Sequence, residues 1–323
     1  MKTFLIALIL SISYFGVRSE TYPIKPITLV VPFPPGGSTD LIARALAQEL
    51  SSALPQQVII ENKSGAGGGI GSQLVSKAQP DGYTLLFTTS STHAIAPSLN
   101  KNLPYNPESD FAPIVHVANA SHVLLISKTV PAKNLKELIE YVKKHPGELN
   151  YASSGSGTII HLAGEAFKAD AGLDIVHIPY KGSTQSISDV ISGKVHLIFD
   201  NIVSGIPHAL DGSLTAIAVT SKKRSPLAPD VPTMMEVGSA FGLGNFQTET
   251  WYGLYAPKAT APEVLGILNA EVNKSLLSTR MKERLNFYGA ESVGGSAQQF
   301  ANDVKKDRAR WSQIIQKNHI VSD

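Results

Sequence analysis

The feature that most constrains the fold is a unit that occurs three times: a short apolar strand, a turn of small residues and the start of a helix. The first copy runs from the β-branched segment Ile27–Val31 through the turn Phe33–Asp40 into an amphipathic stretch. The two later copies have their turns at Ser153–Thr158 and Tyr180–Thr184. Strands that alternate with helices form right-handed βαβ units around parallel sheets. The sequence therefore predicts an α/β fold that binds ligands at the carboxyl ends of its strands.

The turn Phe33–Asp40 has the composition of an anion-binding turn. Its prolines stop the strand, and its paired glycines permit backbone angles that other residues avoid. We expect Gly37 to adopt a positive φ close to a ligand, and Ser38 or Thr39 to cap the helix. Free N–H groups and the helix dipole attract an anion to such a helix N-terminus. One turn of this kind is equally consistent with a βα connection that binds nothing, but its recurrence favours binding.

The length of the chain and two apolar segments predict two lobes. A chain of 323 residues favours two domains over one. The apolar run 111–127 predicts a long or bent strand that passes from one lobe to the other, and the aromatic run 250–256 predicts a second crossing. The first lobe is therefore expected to comprise residues 22–117 and 250–323, and the second lobe residues 118–249.

Residues 1–19 have the pattern of a signal peptide. One early lysine precedes the apolar stretch 4–12, which is too short to span a bilayer. Val17 and Ser19 suit the small-residue positions of a cleavage site. We therefore expect the protein to be exported and its leader to be removed after Ser19.

Composition excludes several functional classes. Without the two basic residues of the leader, the formal charge of +2 becomes zero, which gives no reason to expect nucleic acid or a membrane surface as a partner. The absence of cysteine removes disulfides, thiolate metal sites and cysteine nucleophiles. The chain also lacks a G-x-S-x-G serine motif and histidines at metal-binding spacing, so neither a catalytic serine nor a metal site is predicted.

Three local features have a structural interpretation beside a functional one. The glycine-rich segment 62–71 lacks the strict G-x-G-x-x-G spacing, so we expect close helix–loop packing rather than a nucleotide site. His161, near the start of a helix, is either a ligand contact or a packed neutral imidazole. Asp40 is expected to cap its own helix rather than to act as a base.

The order of the motifs resembles that of one receptor family. The motifs extend over essentially the whole chain after the leader: segments 22–40, 61–71, 80–86, 103–105, 150–155, 161–165, 179–182, 199–201, 218–226 and 229–233. In this arrangement the chain resembles the solute receptors of tripartite tricarboxylate transporters, the Bug-type periplasmic binding proteins.

This resemblance implies a two-lobed clamshell fold of the type II periplasmic-binding-protein kind, with each lobe a mainly parallel sheet flanked by helices. It also implies a monomeric periplasmic receptor, not an enzyme, that needs no cofactor or metal. Such a receptor binds a small mono- or dicarboxylate through backbone amides, hydroxyls and waters, and delivers it to the permease subunits of the transporter. The ligand-binding residues carried over from the family are Phe33, Gly37, Ser38, Asp40, Ser90, Ser91, Ser153, Ser154, Thr158, His161, Tyr180, Gly182 and Asp200.

One departure and two alternatives complete the sequence interpretation. Ile159-Ile160 stands where many relatives have a polar residue, so the far end of the ligand is expected to be less polar if Ile160 faces the cleft. A periplasmic ligand-sensing subunit would use the same binding chemistry. An exported α/β hydrolase or nucleotide enzyme is the alternative from another class, and the lack of a positioned nucleophile, base or metal set argues against it.

Overall fold

The structure is a computed structural model that describes residues 22–317 and residue 320. The predicted signal peptide, with its cleavage after Ser19, lies outside the described residues. Within the described part of the chain the strands are β1 (Ile27–Val31), β2 (Val58–Asn62), β3 (Thr84–Thr89), β4 (Phe111–Ser127), β5 (Asn150–Ser153), β6 (Val176–Pro179), β7 (Leu197–Asn201), β8 (Leu214–Val219), β9 (Glu249–Pro257) and β10 (Ala290–Ser292).

Helices follow most of the strands, as the alternating pattern predicts. The described helices are α1 (Ser38–Ala53), α2 (Gly69–Ser76), α3 (Ala96–Leu99), α4 (Leu135–Lys144), α5 (Ile159–Ala171), α6 (Ser183–Ile191), α7 (Ile202–Leu210), α8 (Met234–Gly238), α9 (Pro262–Leu277), α10 (Thr279–Tyr288) and α11 (Ala297–Lys317). Among the residues described, no helix is long and apolar enough to cross a membrane.

The strands form two sheets that share β4. The first sheet has the order β2-β1-β3-β9-β4 with β10 beside β4, and the second joins β4 to β7, β5 and β6 with β8 also beside β4. β1 is parallel to β2 and β3, and β5 is parallel to β6 and β7. The pairs that include β4 or β9 are antiparallel. The α/β class is therefore confirmed, but each sheet is mixed rather than mainly parallel, because the crossing strands run against the βα units.

The long strand β4 connects the two sheets, as its apolar run predicts. It pairs with β9 up to Ser121 and with β7 from His122 onward. The ring of His122 is fully buried at this junction, where Nδ1 lies 2.8 Å from Thr248 Oγ1 and Nε2 lies 2.9 Å from Thr250 Oγ1. His122 on β4 is thus hydrogen-bonded to one residue just before β9 and to one residue within β9. The limits of the lobes at residues 117 and 249 stay a prediction.

Two hydrophobic clusters stabilise the lobes. The larger one buries the inner faces of β1, β3 and β9 against α1 and α11, and the smaller one packs α4 and α5 on the second sheet. In the larger cluster the ring of Phe300 lies against His116, Trp251 and Tyr255, with centroids 5.1 to 5.4 Å apart. This ring lies over the backbone of β9 at Gly253, where an added Cβ would be 2.1 Å from Phe300 Cζ.

The helix starts differ in part from the predicted ones. Gly37 is the N-cap of α1, and Ser38 and Thr39 are its first helical residues, so the expectation that one of them caps the helix is wrong. Thr158 does cap α5, since its hydroxyl accepts the N–H of His161. The sequence did not predict α7, because a glycine and a proline lie within it.

Replacement of Gly253 by alanine tests the packing between β9 and α11. We expect Gly253→Ala to lower the free energy of unfolding by about 1–3 kcal/mol, because the added methyl displaces a ring that three neighbours hold. Gly266→Ala is the matched control: Gly266 is exposed on α9, and an added Cβ would have no neighbour within 4 Å. That change should stabilise by about 0.5–1 kcal/mol through helix propensity. Urea unfolding of wild type, Gly253→Ala and Gly266→Ala measures these differences in stability. Equal urea midpoints for Gly253→Ala and wild type would contradict the close packing of Phe300 on Gly253.

Candidate ligand-binding site

A narrow cavity lies between the lobes at the carboxyl ends of the parallel strands. About 350 Å³ in it is free of protein atoms, but only about 20 Å³ can hold the centre of a water molecule. The lobes are therefore closed over a space for very few waters. We call this space the inter-lobe cavity; its lining residues are Phe33, Pro34, Gly37, Ser38, Thr39, Thr89, Ser91, Ser154, Ile159, Ile160, Ser183, Asn201 and Thr250.

Four helices begin at the inter-lobe cavity. α1 starts after Gly37, α5 contributes Ile159 and Ile160 from its first turn, α6 contributes Ser183, and α7 starts after Asn201. No side chain caps α1, α6 or α7 at the N-cap position. The first N–H groups of a helix have no partner within the helix, and its dipole is positive at this end. The cavity therefore favours a negatively charged group.

None of the described residues that line the inter-lobe cavity carries a charge. Serine and threonine hydroxyls, one asparagine and the backbone supply its polar surface, while Phe33, Ile159 and Ile160 supply apolar surface. An anion in this cavity would therefore be held by hydrogen bonds and helix dipoles, not by an ion pair.

Direct contacts hold the lobes together around the cavity. The N–H of Ile159 donates to Ser91 Oγ over 3.1 Å, which joins the start of α5 to the end of β3. The hydroxyl of Thr184 donates to the carbonyl of Pro35, also over 3.1 Å. At Gly182 an added Cβ would lie 2.3 Å from Pro34 Cδ, so α6 approaches the first turn too closely for a larger residue.

The structure brings part of the predicted site to the cavity and places the rest behind it. The predicted residues that line the cavity are Phe33, Gly37, Ser38, Ser91 and Ser154. The predicted residues that do not line it are Asp40, Ser90, Ser153, Thr158, His161, Tyr180, Gly182 and Asp200. Their assignment as ligand contacts stays a prediction.

Gly37 lines the cavity without the backbone angle expected of it. Its φ is −77°, so the expectation of a positive φ is wrong, and the neighbouring Gly36 has the positive value of +80°. An added Cβ at Gly37 would have Pro34 O, at 3.7 Å, as its nearest neighbour. A side chain at this position is therefore compatible with the fold, and its effect on a ligand can be separated from its effect on folding.

Asp40 holds the first turn in place. Its buried carboxylate accepts hydrogen bonds from Gly36 N at 2.9 Å, Asn62 Nδ2 at 2.9 Å and Arg44 Nε at 2.8 Å. Burial alone would raise the pKa of Asp40, but these three hydrogen bonds together hold it below its ordinary value. The expectation that Asp40 caps its own helix is wrong: no side chain caps α1, and the carboxylate of Asp40 instead holds Gly36, which precedes the N-cap.

Asp200 lies fully buried behind the starts of α6 and α7. Ser183 Oγ donates to its Oδ1 over 2.7 Å, and Ser204 Oγ donates to its Oδ2 over 2.5 Å. Burial raises the pKa of Asp200, and the hydrogen bonds offset part of that rise. Asp200 thus acts on the cavity through Ser183, which lines it.

The turn of the second lobe is held by contacts within the lobe. Ser153 Oγ lies 2.7 Å from His177 Nε2 and accepts the N–H of Gly155. Thr158 Oγ1 donates to the carbonyl of Gly155 over 2.7 Å. The ring of His161 stacks on His177 with centroids 4.0 Å apart, and its Nδ1 accepts the N–H of Gly157. This agrees with the packed interpretation of His161 rather than with direct ligand contact.

Ser90, Tyr180 and the glycine-rich segment do not line the cavity. Ser90 is buried beside Ser91, and in the described residues its hydroxyl has no hydrogen-bond partner. Tyr180 donates to Asp189 over 2.8 Å, and burial together with this acid raises the pKa of Tyr180 to about 12. At Gly71 an added Cβ would lie 2.8 Å from the carbonyl of Lys63 and 2.9 Å from Pro32, which confirms the predicted close helix–loop packing.

The sequence interpretation missed several residues that line the cavity. These are Pro34, Thr39, Thr89, Ser183, Asn201 and Thr250. Asn201 has the clearest sequence signal, because Asn is a favoured N-cap and follows a buried strand, but α7 itself was not recognised.

Ile159 and Ile160 both line the cavity, so the condition that Ile160 faces the cleft is fulfilled. In the described part of the chain no group of three His, Cys, Asp or Glu side chains could hold a metal ion.

Two α/β lobes that close over a cavity at helix N-termini define a two-lobed binding protein. The sequence profile of the tripartite tricarboxylate transporter family receptor matches residues 42–320. The chain belongs to this family.

Solved structures agree with this assignment. The periplasmic binding protein BugD is 35% identical, with a TM-score of 0.89 over 94% of this chain and 100% of that chain. Rpa4515 of R. palustris with adipate is 35% identical, with a TM-score of 0.89 over 93% of this chain and 99% of that chain. MatC (Rpa3494) of Rhodopseudomonas palustris with bound malate is 32% identical, with a TM-score of 0.85 over 91% of this chain and 100% of that chain. The two-lobed fold is therefore confirmed.

The role of Asp40 predicts a pH-dependent loss of stability in Asp40→Asn. Because the pKa of Asp40 in the folded protein lies below its ordinary value of 3.8, its carboxylate stabilises the fold above that pH. The stabilisation disappears as the pH falls through the folded-state pKa. We expect Asp40→Asn to cost about 1–3 kcal/mol near pH 7 and clearly less near pH 3.

Chemical denaturation of wild type and variant at both pH values measures this difference. Asp230→Asn, a change of the same kind at an exposed loop position, serves as the control and should cost little at either pH. An Asp40→Asn loss that is equally large at both pH values would show that the carboxylate charge is not the stabilising element.

Proposed function

We propose that this protein is a periplasmic receptor that binds a small organic carboxylate in the inter-lobe cavity and delivers it to the permease of a tripartite tricarboxylate transporter. The observation that carries the proposal is the meeting of four helix N-termini at a cavity without charged side chains. Family membership supports the receptor role. Export to the periplasm rests on residues 1–19 and on the likeness to the periplasmic protein BugD.

Hydrogen bonds and dipoles are sufficient for useful affinity. A hydrogen bond to a charged group contributes about 1.5–3 kcal/mol, and a helix N-terminus adds about 0.3–1 kcal/mol. Several such contacts reach the roughly 8 kcal/mol of a micromolar complex. Since the cavity of the closed structure is narrow, the lobes must part to admit the ligand and close over it again.

The lining also indicates the shape of the ligand. Ile159 and Ile160 offer an aliphatic wall beside the polar helix starts. A short carbon chain with a carboxylate fits such a mixture of surfaces better than a compact, fully polar anion does. The related proteins with bound adipate and malate support a carboxylate of this size class for the family.

The hydroxyls of the cavity support binding rather than catalysis. Ser91, Ser154 and Ser183 are hydrogen-bonded to a backbone amide, a threonine and a carboxylate, and not to a histidine base. Thr250 does contact His122, but burial lowers the pKa of that ring to about 3, so it is a poor base near neutral pH. The arrangement therefore favours a receptor that returns its ligand unchanged.

Calorimetry with carboxylates of three to six carbons tests the binding proposal. We expect at least one of them to bind with a Kd of about 1–100 µM, and its uncharged diamide to bind about a hundredfold more weakly or worse. Because the cavity lining is uncharged, raising the salt concentration from about 0.05 to 0.5 M should change Kd by less than about tenfold.

Variants of two glycines connect this binding to the first turn. Gly37→Val adds volume at the cavity and should weaken binding by about tenfold or more while the fold is kept. Gly266→Val, on the exposed face of α9, should leave Kd unchanged. If no carboxylate binds to wild type, or if Gly37→Val binds normally, the proposed site is wrong.

Delivery to a permease requires a separate measurement in cells. Uptake of the radiolabelled carboxylate found by calorimetry should fall at least about tenfold when the gene for this protein is deleted, and return when the gene is restored. Restoration with the Gly37→Val variant should leave uptake low. Normal uptake in the deletion strain would favour the ligand-sensing alternative over transport.

A further inference from the structure

The side-chain hydroxyl of Ser183 presents only hydrogen-bond acceptors to the inter-lobe cavity. Ser183 is the first residue of α6, it lines the cavity, and its Oγ donates to Asp200 Oδ1 over 2.7 Å. A serine hydroxyl has one proton and two lone pairs. Because the proton is used on Asp200, the part of the hydroxyl that faces the cavity can accept a hydrogen bond but cannot donate one.

The surroundings of Asp200 keep this direction fixed. Ser204 Oγ donates to the other carboxylate oxygen over 2.5 Å, and the backbone at Asn201 donates as well. Three donors directed at one carboxyl group match an ionised carboxylate, which has acceptors only. Asp200 is fully buried, so a water cannot reach its carboxylate and displace the hydroxyl of Ser183.

Two other polar groups of the cavity have the opposite direction, whereas Ser154 also donates its proton, over the longer distance of 3.3 Å, to the hydroxyl of Thr158. Ser91 Oγ accepts the N–H of Ile159, which leaves its own proton to donate. Asn201 accepts the hydroxyl of Tyr252 on Oδ1 over 3.1 Å, which leaves its amide N–H groups to donate. Together with the helix N-termini, these groups suit a carboxylate, whereas Ser183 requires a donor from the ligand.

We propose that the ligand of this receptor is a hydroxycarboxylate whose hydroxyl donates a hydrogen bond to Ser183, with Asp200 as the residue that fixes the direction of that bond. The proposal rests on the proposed carboxylate-binding function and specifies its substrate class. A hydroxyl is favoured over an ammonium group, because no acidic side chain among the described residues lines the cavity to pair with a positive charge.

Matched ligand pairs test the preference in the wild-type protein. Calorimetry compares malate with succinate and 2-hydroxyglutarate with glutarate, which differ only in one hydroxyl, and includes aspartate as the amino counterpart of malate. We expect the hydroxylated member of at least one pair to bind about tenfold more tightly, because its unsubstituted partner leaves the acceptor at Ser183 unsatisfied. Aspartate should bind no better than succinate.

Two variants and a control assign the preference to Ser183. Ser183→Ala should lower the affinity for the hydroxylated member to about that of its partner, and change the affinity for the partner by less than about twofold. Asp200→Asn should reduce the preference too, because one acceptor oxygen becomes a donor and the hydroxyl of Ser183 can turn. Ser188→Ala, on the exposed side of the same helix, should keep the wild-type preference.

The outcomes separate this inference from the function on which it rests. Equal affinities within every pair, or an equal loss for both members in Ser183→Ala, would overturn the hydroxyl proposal while carboxylate binding stands. Tighter binding of aspartate than of malate would replace the hydroxyl by an ammonium group and overturn it as well. Absence of binding by every carboxylate would overturn the proposed function itself.

Discussion

Backbone N–H groups at the starts of α1, α6 and α7 are the constraint on which the site depends. Every helix has such groups, and a buried donor without a partner costs about 1–3 kcal/mol. Most helices satisfy them with an N-cap side chain, as Thr158 does for α5. At α1 and α6 the N-cap is a glycine, and at α7 the side chain of Asn201 is turned to Tyr252. At these three helix starts no N-cap side chain accepts the backbone N–H groups, which are therefore available to a ligand.

The connection between the lobes also reaches the cavity. His122 on β4 is bonded through its two ring nitrogens to Thr248 and Thr250, and Thr250 itself lines the cavity. The hydroxyl of Thr220 donates to the carbonyl of Thr248 over 2.6 Å and adds a strand of the second lobe to the same network. The hydrogen bonds at the junction of the two sheets therefore include a residue that lines the cavity.

The pattern of apolar residues predicted a helix or strand correctly where a single uninterrupted run of residues determines it. β4 is one strand across its whole apolar run, as predicted. α7 was missed because Gly205 and Pro207 signal a loop, although tertiary packing against β4 overrides them. For the site, the turns were located correctly, but local sequence does not determine which side chain of a turn faces a cavity. Ser38 and Asp40 are two positions apart, yet one lines the cavity and the other binds Arg44 and Asn62 behind it.

The two buried acids behind the cavity differ in how their charge is compensated. Asp40 is matched by Arg44, so its negative charge is compensated locally, and the pKa of Asp40 is low. Asp200 has only hydroxyl and amide partners, and burial raises its pKa. Asp200 lies at the starts of α6 and α7, where the helix dipoles stabilise a negative charge on it. Under the proposed function this charge would oppose the carboxylate in the cavity and speed its release, because differences in affinity between related complexes lie mostly in the dissociation rate.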